Sequence, residues 1–196
     1  MLSENRKKFD IISEKIGEIF SKTGISPNAF TLLSLFFAFL SFIFLIKENL
    51  ILAPLFFVIA SILDLIDGAV AKFKNQTTKK GAYLDTICDR YVEGIIIFGF
   101  LFLDLPRIIF IPEIWIFLCL FGALMTTYSK AAAKEKEVIT DELKRGFMER
   151  PERIILIFLA LILGNFSFLF TVYTLIILAV FSNITALQRI FYTLSK

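Results

Sequence analysis

Long uninterrupted apolar segments restrict this chain more than any other feature of its sequence. The segment FTLLSLFFAFLSFIFLI, residues 30–46, contains no charged residue, and several other segments resemble it. About 20 apolar residues in a helix match the hydrocarbon thickness of a bilayer. Hydrophobic residues make up 57% of the 196 residues, more than a water-soluble domain of this size can bury. The sequence therefore predicts an all-α integral membrane protein.

Six segments are apolar enough to be transmembrane helices. In chain order these spans are residues 29–46, 51–66, 87–103, 108–129, 153–170 and 172–188. Residues 25–196 are then a six-helix transmembrane bundle, and the length leaves no room for a second globular domain. We expect residues 1–196 to be a single membrane domain.

The first 24 residues have a different pattern. Phe9, Ile12, Ile16 and Ile19 recur at helical intervals with charged residues between them. That pattern is typical of an amphipathic helix lying in the membrane interface. The alternative is a soluble N-terminal helix packed on loops.

The basic residues indicate an orientation in the membrane. Most of the 21 lysines and arginines lie in residues 1–24, 72–80 and 130–153 and in the C-terminal tail, whereas Lys47 and Arg107 lie in the connections on the other side. The positive-inside rule then places both termini and the two long loops in the cytoplasm. A net charge of +3 is too small to indicate a nucleic-acid partner.

Four aspartates interrupt this apolar sequence at the ends of the second and third spans. Asp64 and Asp67 are three residues apart, and Asp85 and Asp89 are four apart, so each pair shares one face of a helix. Because the connecting loop is short, all four should converge. Such carboxylates would repel each other unless divalent cations such as magnesium, manganese or calcium bound them. Solvated helix ends are the alternative.

Small residues lie beside these aspartates. Gly68, Ala71 and Gly81 lack large side chains, which allows a ligand to approach the backbone closely. Close packing of membrane helices is an equally good explanation for Gly68 or Ala71 taken alone.

The pattern DxxDGxxAK, eight residues and then GxxxDxxxD, residues 64–89, resembles the signature of the CDP-alcohol phosphotransferase family. One position departs from it, since Lys72 stands where the family usually has arginine. Lysine keeps the charge but lacks the planar donor fork of arginine. The six spans and the interfacial helix also fit the family, so the resemblance covers essentially the whole chain.

The resemblance implies a reaction and roles for the aspartates. A hydroxyl attacks the pyrophosphate of a CDP-linked lipid, CMP leaves, and a phosphodiester forms. Asp64, Asp67 and Asp85 would hold a pair of divalent cations, Mg²⁺ or Mn²⁺, with Asp89 also close to the metals. Asp89 would be the catalytic general base, which agrees with the absence of histidine from the chain.

The resemblance also implies a binding site for the CDP-lipid. Its expected residues are Asn28, Thr31, Asp64, Gly68, Ala71, Lys72, Gly81 and Asp85. Asn28 and Thr31 belong to the segment GISPNAFT, which resembles the family's entry to the first span. The alternative for this segment is an ordinary helix start with proline and a polar cap.

Basic residues near the later spans bear on the acceptor alcohol. The stretches YSKA, ERPER and QR resemble the branch of the family that uses inositol 1-phosphate, which includes phosphatidylinositol-phosphate and archaetidylinositol-phosphate synthases. By this resemblance the acceptor's phosphate would be held by Lys130, Arg150, Arg153 and Arg189. Positive-inside flanking charge is the alternative for each of them taken singly.

Other functions stay open at this point. Glycerol phosphate is a possible acceptor. Another possible reaction uses CDP-inositol and makes a di-inositol phosphate. In another class, the aspartates could line a divalent-cation transport path, but the middles of the spans contain almost no charge. The family resemblance further implies a homodimer.

Overall fold

The structure of the chain is a computed structural model that describes residues 2–139 and 146–196, with the side chains of the first helix described from Ile12 onward. The side chain of Phe9 and residues 140–145 of the predicted 130–153 loop therefore lie outside the described part.

The regular elements among the described residues are helices, and these residues contain no β-strand, which confirms the all-α prediction. Seven α-helices and one short 3₁₀ turn, Phe100–Phe102, follow each other. The helices are α1 (Leu2–Ser21), α2 (Pro27–Ile46), α3 (Leu52–Phe73), α4 (Lys79–Gly99), α5 (Pro112–Glu135), α6 (Arg150–Leu163) and α7 (Phe168–Leu194). By their internal contacts the residues form two compact units. Unit 1 comprises Met1–Ser41 and Leu55–Glu93, and unit 2 comprises Phe42–Pro54 and Gly94–Lys196.

In unit 1, α1 packs on an apolar core. Ile16 and Phe20 contact the buried residues Phe30, Ile66 and Val70. The rings of Phe20 and Phe30 meet edge to face, with their centroids 6.1 Å apart. α1 thus contacts the unit through two of its apolar residues, Ile16 and Phe20.

In unit 2, α5 and α7 approach closely at Gly122. A Cβ added at Gly122 would lie 2.8 Å from the Cβ of Ser182 and 3.0 Å from the backbone nitrogen of Asn183. The Asn183 side chain donates a hydrogen bond of 2.9 Å to the Leu118 carbonyl oxygen. A small residue at the crossing and a polar group bonded across it are the usual means of joining helices in membranes.

The helices that carry the aspartates are longer at their polar ends than the predicted spans. α3 continues to Phe73 rather than ending near residue 66, and α4 begins at Lys79 rather than at 87. The reason for the start of α4 is local, because the Thr78 hydroxyl accepts a 3.0 Å hydrogen bond from the Gly81 amide. The aspartates therefore lie within helices and not at their ends.

The predicted fifth span, 153–170, is wrong at its end. α6 stops at Leu163, and Ser167 caps the next helix by accepting a hydrogen bond of 3.2 Å from the Leu169 amide. The turn itself reads GNFS, residues 164–167, so a glycine, an asparagine and a serine marked it in the sequence, although the flanking segments are apolar. Consequently α7 is longer than predicted, at Phe168–Leu194 instead of 172–188, and α5 lies at Pro112–Glu135 instead of 108–129.

Four of the described helices are long and apolar enough to cross a membrane: Pro27–Ile46, Leu52–Phe73, Pro112–Glu135 and Phe168–Leu194. α6 has 14 residues, about 21 Å at the rise of an α-helix, against a hydrocarbon core of about 30 Å. α4 carries several charged residues along its length.

Substitution of Gly122 tests the α5–α7 packing. Gly122→Ala should cost about 1–3 kcal/mol of stability, because the new methyl group overlaps atoms of α7. Thermal unfolding of the purified protein in detergent should show the loss as a lower melting temperature. Gly94→Ala is the control, since its added Cβ would come no nearer than 3.9 Å to Leu120. Equal melting temperatures for the two variants would contradict the packing described here.

Candidate active site

Three aspartates of unit 1 converge. Asp64 and Asp67 lie one turn apart on α3, and Asp85 lies in the second turn of α4. One carboxylate oxygen from each lies within 4.8 Å of the others, and Asp67 is buried. The three-residue spacing places Asp64 and Asp67 on one face of α3. Three of the four aspartates predicted to meet are therefore together.

The carboxylate of Asp67 is held by Thr31. The Thr31 hydroxyl donates to Asp67 Oδ2 at 2.6 Å, a short distance typical of a hydrogen bond to a charged acceptor. Thr31 is buried one turn into α2, which begins at Pro27. Thr31 was predicted as a CDP-lipid-binding residue, and the contact that the structure gives it is with a carboxylate.

A cavity of about 210 Å³ lies beside the aspartates. Its lining includes every residue predicted for the CDP-lipid except Asp64, namely Asn28, Thr31, Gly68, Ala71, Lys72, Gly81 and Asp85. Gln76, Thr77 and Thr78 from the α3–α4 connection also line the cavity. Sequence reasoning missed these three, although a polar QTT run between the two halves of the motif was a usable signal.

The two motif glycines differ in their surroundings. A Cβ added at Gly68 would have no atom within 4 Å, so Gly68 leaves space in the cavity. A Cβ at Gly81 would lie 3.1 Å from Thr78 Oγ1 and 3.2 Å from Asn28 Oδ1. Open space for a ligand therefore accounts for Gly68, whereas close packing of polar groups accounts for Gly81.

Asp89 is not one of the three aspartates whose oxygens converge within 4.8 Å. It is buried one turn after Asp85 on α4, and its Oδ2 is 3.9 Å from Nη2 of Arg90. The structure therefore places Asp89 beside a cation, which the sequence interpretation did not anticipate.

In unit 2, two of the predicted acceptor-site arginines meet at one residue. Arg153 Nη1 donates to the Thr126 hydroxyl oxygen at 3.2 Å, and Arg189 Nη1 donates to the Thr126 carbonyl oxygen at 2.6 Å. All three residues are buried. Glu149 lies 3.7 Å from Arg189 through Oε1 and Nη2. Helices α5, α6 and α7 thus contribute one residue each to a buried basic group.

The other two predicted acceptor residues are more exposed. Lys130 lies one turn after Thr126 on α5, and Arg150 is the first residue of α6. Glu149 and Glu152 form a capping box at that helix start. Sequence reasoning missed Thr126, for which the polar run TTYSK, residues 126–130, near the end of an apolar segment was the available signal.

An acidic group beside a polar cavity, in a chain with four described helices of membrane-spanning length, is an arrangement suited to a cation-binding site of a membrane protein. Residues 24–188 match the profile of the CDP-alcohol phosphatidyltransferase family. The chain belongs to this family of transferases, and the resemblance drawn from the DxxDGxxAK pattern is confirmed.

Similar proteins include synthases of inositol lipids. The chain is 33% identical over 193 residues to the archaetidylinositol phosphate synthase of Pyrococcus horikoshii, covering 97% of this chain and 95% of that protein. It is 34% identical over 143 residues to a bifunctional IPC transferase and DIPP synthase of Aquifex aeolicus, covering 70% of this chain but 32% of that protein.

Its fold is similar to a solved structure as well. The crystal structure of Mycobacterium tuberculosis phosphatidylinositol phosphate synthase with CDP-DAG bound matches with a TM-score of 0.78 and 26% sequence identity, covering 93% of each chain.

Proposed function

We propose that this enzyme transfers the lipid-phosphate group of a CDP-lipid to a hydroxyl of inositol 1-phosphate and releases CMP. The observation that carries the proposal is the convergence of Asp64, Asp67 and Asp85 beside a cavity lined by the family motif. The CDP-DAG bound in the Mycobacterium tuberculosis structure supports the donor, and the similarity to the archaetidylinositol phosphate synthase of Pyrococcus horikoshii supports the acceptor.

The three aspartates fit a divalent-cation site. Their oxygens are hard ligands at mutual distances that one or two cations can bridge. We assign Asp64, Asp67 and Asp85 as ligands of two Mg²⁺ or Mn²⁺ ions, with Asp89 nearby. Bound cations would neutralise the pyrophosphate and the leaving CMP. Within the protein, the hydrogen bond from Thr31 fixes one ligand, Asp67, in place.

The cavity supplies polar groups suited to a nucleotide. Asn28, Gln76 and Thr77 offer amide and hydroxyl groups, and the open space at Gly68 admits a ligand next to the α3 backbone. Lys72 contributes a positive charge for phosphate. These groups support the assignment of this cavity to the CDP part of the donor.

Asp89 is proposed as the general base. It accepts the proton of the acceptor hydroxyl while the oxygen–phosphorus bond forms and the phosphorus–oxygen bond to CMP breaks. The chain has no histidine, and the ionised carboxylates of the motif are the proton acceptors available near the donor site.

The buried basic group of unit 2 is proposed to hold the acceptor's phosphate. Arg153 and Arg189 meet at Thr126 from two helices, which directs both guanidinium groups to one place. Lys130 and Arg150, near Thr126 along α5 and at the start of α6, would add charge. Guanidinium groups bind phosphate with two parallel hydrogen bonds, so this group favours a phosphorylated acceptor over a neutral alcohol.

The finer membrane arrangement is also a proposal. We propose that α4 and α6 complete six transmembrane helices and that residues 1–24 lie in the interface, with residues 1–196 as one domain. The exposed Ile12 and Ile19, two turns apart on α1, support contact of that helix with lipid. Both termini and the active site would face the cytoplasm, as the distribution of basic residues favours.

A homodimer is proposed from the family resemblance. Light scattering of the detergent-solubilised protein, corrected for bound detergent, should give twice the mass of the 22.4 kDa chain. A monomer mass in several detergents and in nanodiscs would contradict this proposal.

A second candidate function has one supporting observation. The match to the Aquifex aeolicus protein named as a DIPP synthase favours CDP-inositol-dependent di-inositol-phosphate synthesis. Glycerol phosphate is a further acceptor to test. Incubation of the purified enzyme with each donor–acceptor pair, followed by measurement of CMP release, separates these activities. The family match favours group transfer over the divalent-cation transport considered from the sequence.

Two isosteric substitutions separate the roles of the aspartates. Asp85→Asn should weaken Mn²⁺ binding and raise the metal concentration needed for activity, because it removes a ligand charge. Asp89→Asn should abolish transfer while leaving Mn²⁺ and CDP-lipid binding largely intact. Calorimetric Mn²⁺ titration and CMP release measure these effects, with Asp104→Asn, in the α4–α5 connection, as the control. Wild-type turnover in Asp89→Asn would exclude the base assignment.

Substitution of the arginines tests the acceptor. Arg150→Ala and Arg153→Lys should raise the KM for inositol 1-phosphate much more than that for the CDP-lipid. A hydrogen bond to a charged group contributes roughly 1.5–3 kcal/mol, so kcat/KM should fall on the order of tenfold to a hundredfold. Lys134→Ala, an exposed cation on α5, is the control. An unchanged KM for inositol 1-phosphate in both arginine variants would show that these residues are only positive-inside flanking charges.

Single cysteines test the orientation. In a background lacking Cys88 and Cys119, a cysteine at Lys79 should react with an impermeant maleimide only from the cytoplasmic side of sealed vesicles. A cysteine at Glu48 should react only from the opposite side. The reverse pattern would overturn the cytoplasmic placement of the active site.

A further inference from the structure

A buried ion pair lies directly after the family motif on α4. Nη1 of Arg90 is 2.6 Å from Oε2 of Glu93, and the Glu93 residue is only 1% exposed. The Arg90 side chain is 15% exposed. The motif that ends at Asp89 includes neither residue, and the proposed reaction assigns them no role.

Stability alone is a weak reason for such a pair. Burying a carboxylate and a guanidinium removes both from water, and their attraction often fails to exceed that cost. Apolar residues of similar size would fill the same buried positions of α4 at least as well. A buried pair is better explained where it fixes the position of a third group.

Asp89 is the group in position to be fixed. Glu93 lies one turn after Asp89 on the same face of α4, so their two carboxylates repel each other. Arg90 counters this repulsion, because its Nη2 lies 3.9 Å from Asp89 Oδ2 while its Nη1 binds Glu93. One guanidinium group therefore faces two carboxylates through two different nitrogens.

We propose that Arg90 and Glu93 are positioning residues for Asp89. Glu93 anchors the guanidinium of Arg90, and the anchored guanidinium orients the Asp89 carboxylate for removal of the acceptor's proton. The planar guanidinium suits this role because its donors are fixed relative to each other, whereas lysine offers a single point charge. The inference rests on the proposed function, in which Asp89 is the base.

The decisive variant is the exchange R90E/E93R. It restores opposite charges at positions 90 and 93 but puts a carboxylate next to Asp89. If the pair positions Asp89, the exchange variant should have a melting temperature near that of the wild type. Its kcat should be lower than the wild-type kcat by on the order of tenfold to a hundredfold. A wild-type kcat together with a wild-type melting temperature in the exchange variant would show that the pair only stabilises α4 and would overturn the proposal.

Two milder variants decide the question if the exchange does not fold. Arg90→Lys and Glu93→Gln should lower kcat by on the order of tenfold while the CDP-lipid KM and Mn²⁺ affinity stay within about twofold of the wild type. Wild-type kcat in both variants would overturn the proposal. The proposal would also be overturned if kcat fell only in variants that lost melting temperature and donor binding as well.

The same assay distinguishes failure of this inference from failure of the proposed function. Wild-type CMP release with inositol 1-phosphate, glycerol phosphate and CDP-inositol tests the function and selects the substrates that the enzyme uses best. Each variant is then compared with the wild type on those substrates. If the wild type released no CMP with inositol 1-phosphate, the proposed acceptor would be wrong. The Arg90 and Glu93 variants could still be compared with the wild type on the substrates that it does use.

Discussion

Mutual repulsion among carboxylates within apolar helices is the constraint on which this structure depends. Asp64, Asp67 and Asp85 lie with their oxygens within 4.8 Å of one another, and α3, which carries the first two, is apolar enough to cross a membrane. Such a group is costly to bury unless cations and hydrogen-bond donors compensate it. Thr31 supplies one donor, and the neighbouring cavity gives a charged ligand access. The unfavourable arrangement is therefore tolerable where divalent cations and a pyrophosphate are the expected occupants.

Glycine and threonine have parallel uses in the two units. In unit 1, Gly68 leaves open space beside the aspartates, and in unit 2, Gly122 lets α7 approach α5. Thr31 fixes an anionic group, whereas Thr126 receives two cationic groups, one at its hydroxyl and one at its carbonyl oxygen. Small polar residues in apolar helices thus position the charged residues, which cannot be held by apolar packing alone.

The sequence predicted the helical class and the acidic group because both follow from fixed geometry. A three-residue spacing places Asp64 and Asp67 on one helical face whatever the exact helix ends are. The ends themselves were missed where local hydrogen bonds decide them, as at Thr78 and Ser167. Thr126 was missed for another reason, since its importance arises from residues far away in the chain.

The Thr31 hydroxyl has two hydrogen-bond acceptors within reach and can change from one to the other. A hydroxyl carries one hydrogen, and Thr31 Oγ1 lies 2.6 Å from Asp67 Oδ2 and 3.2 Å from the Pro27 carbonyl oxygen. Rotation about the Cβ–Oγ1 bond of Thr31 moves its hydrogen bond from the Asp67 carboxylate to the Pro27 carbonyl oxygen of α2. Asp67 can therefore exchange a neutral donor for a cation while every heavy atom of α2 stays in place.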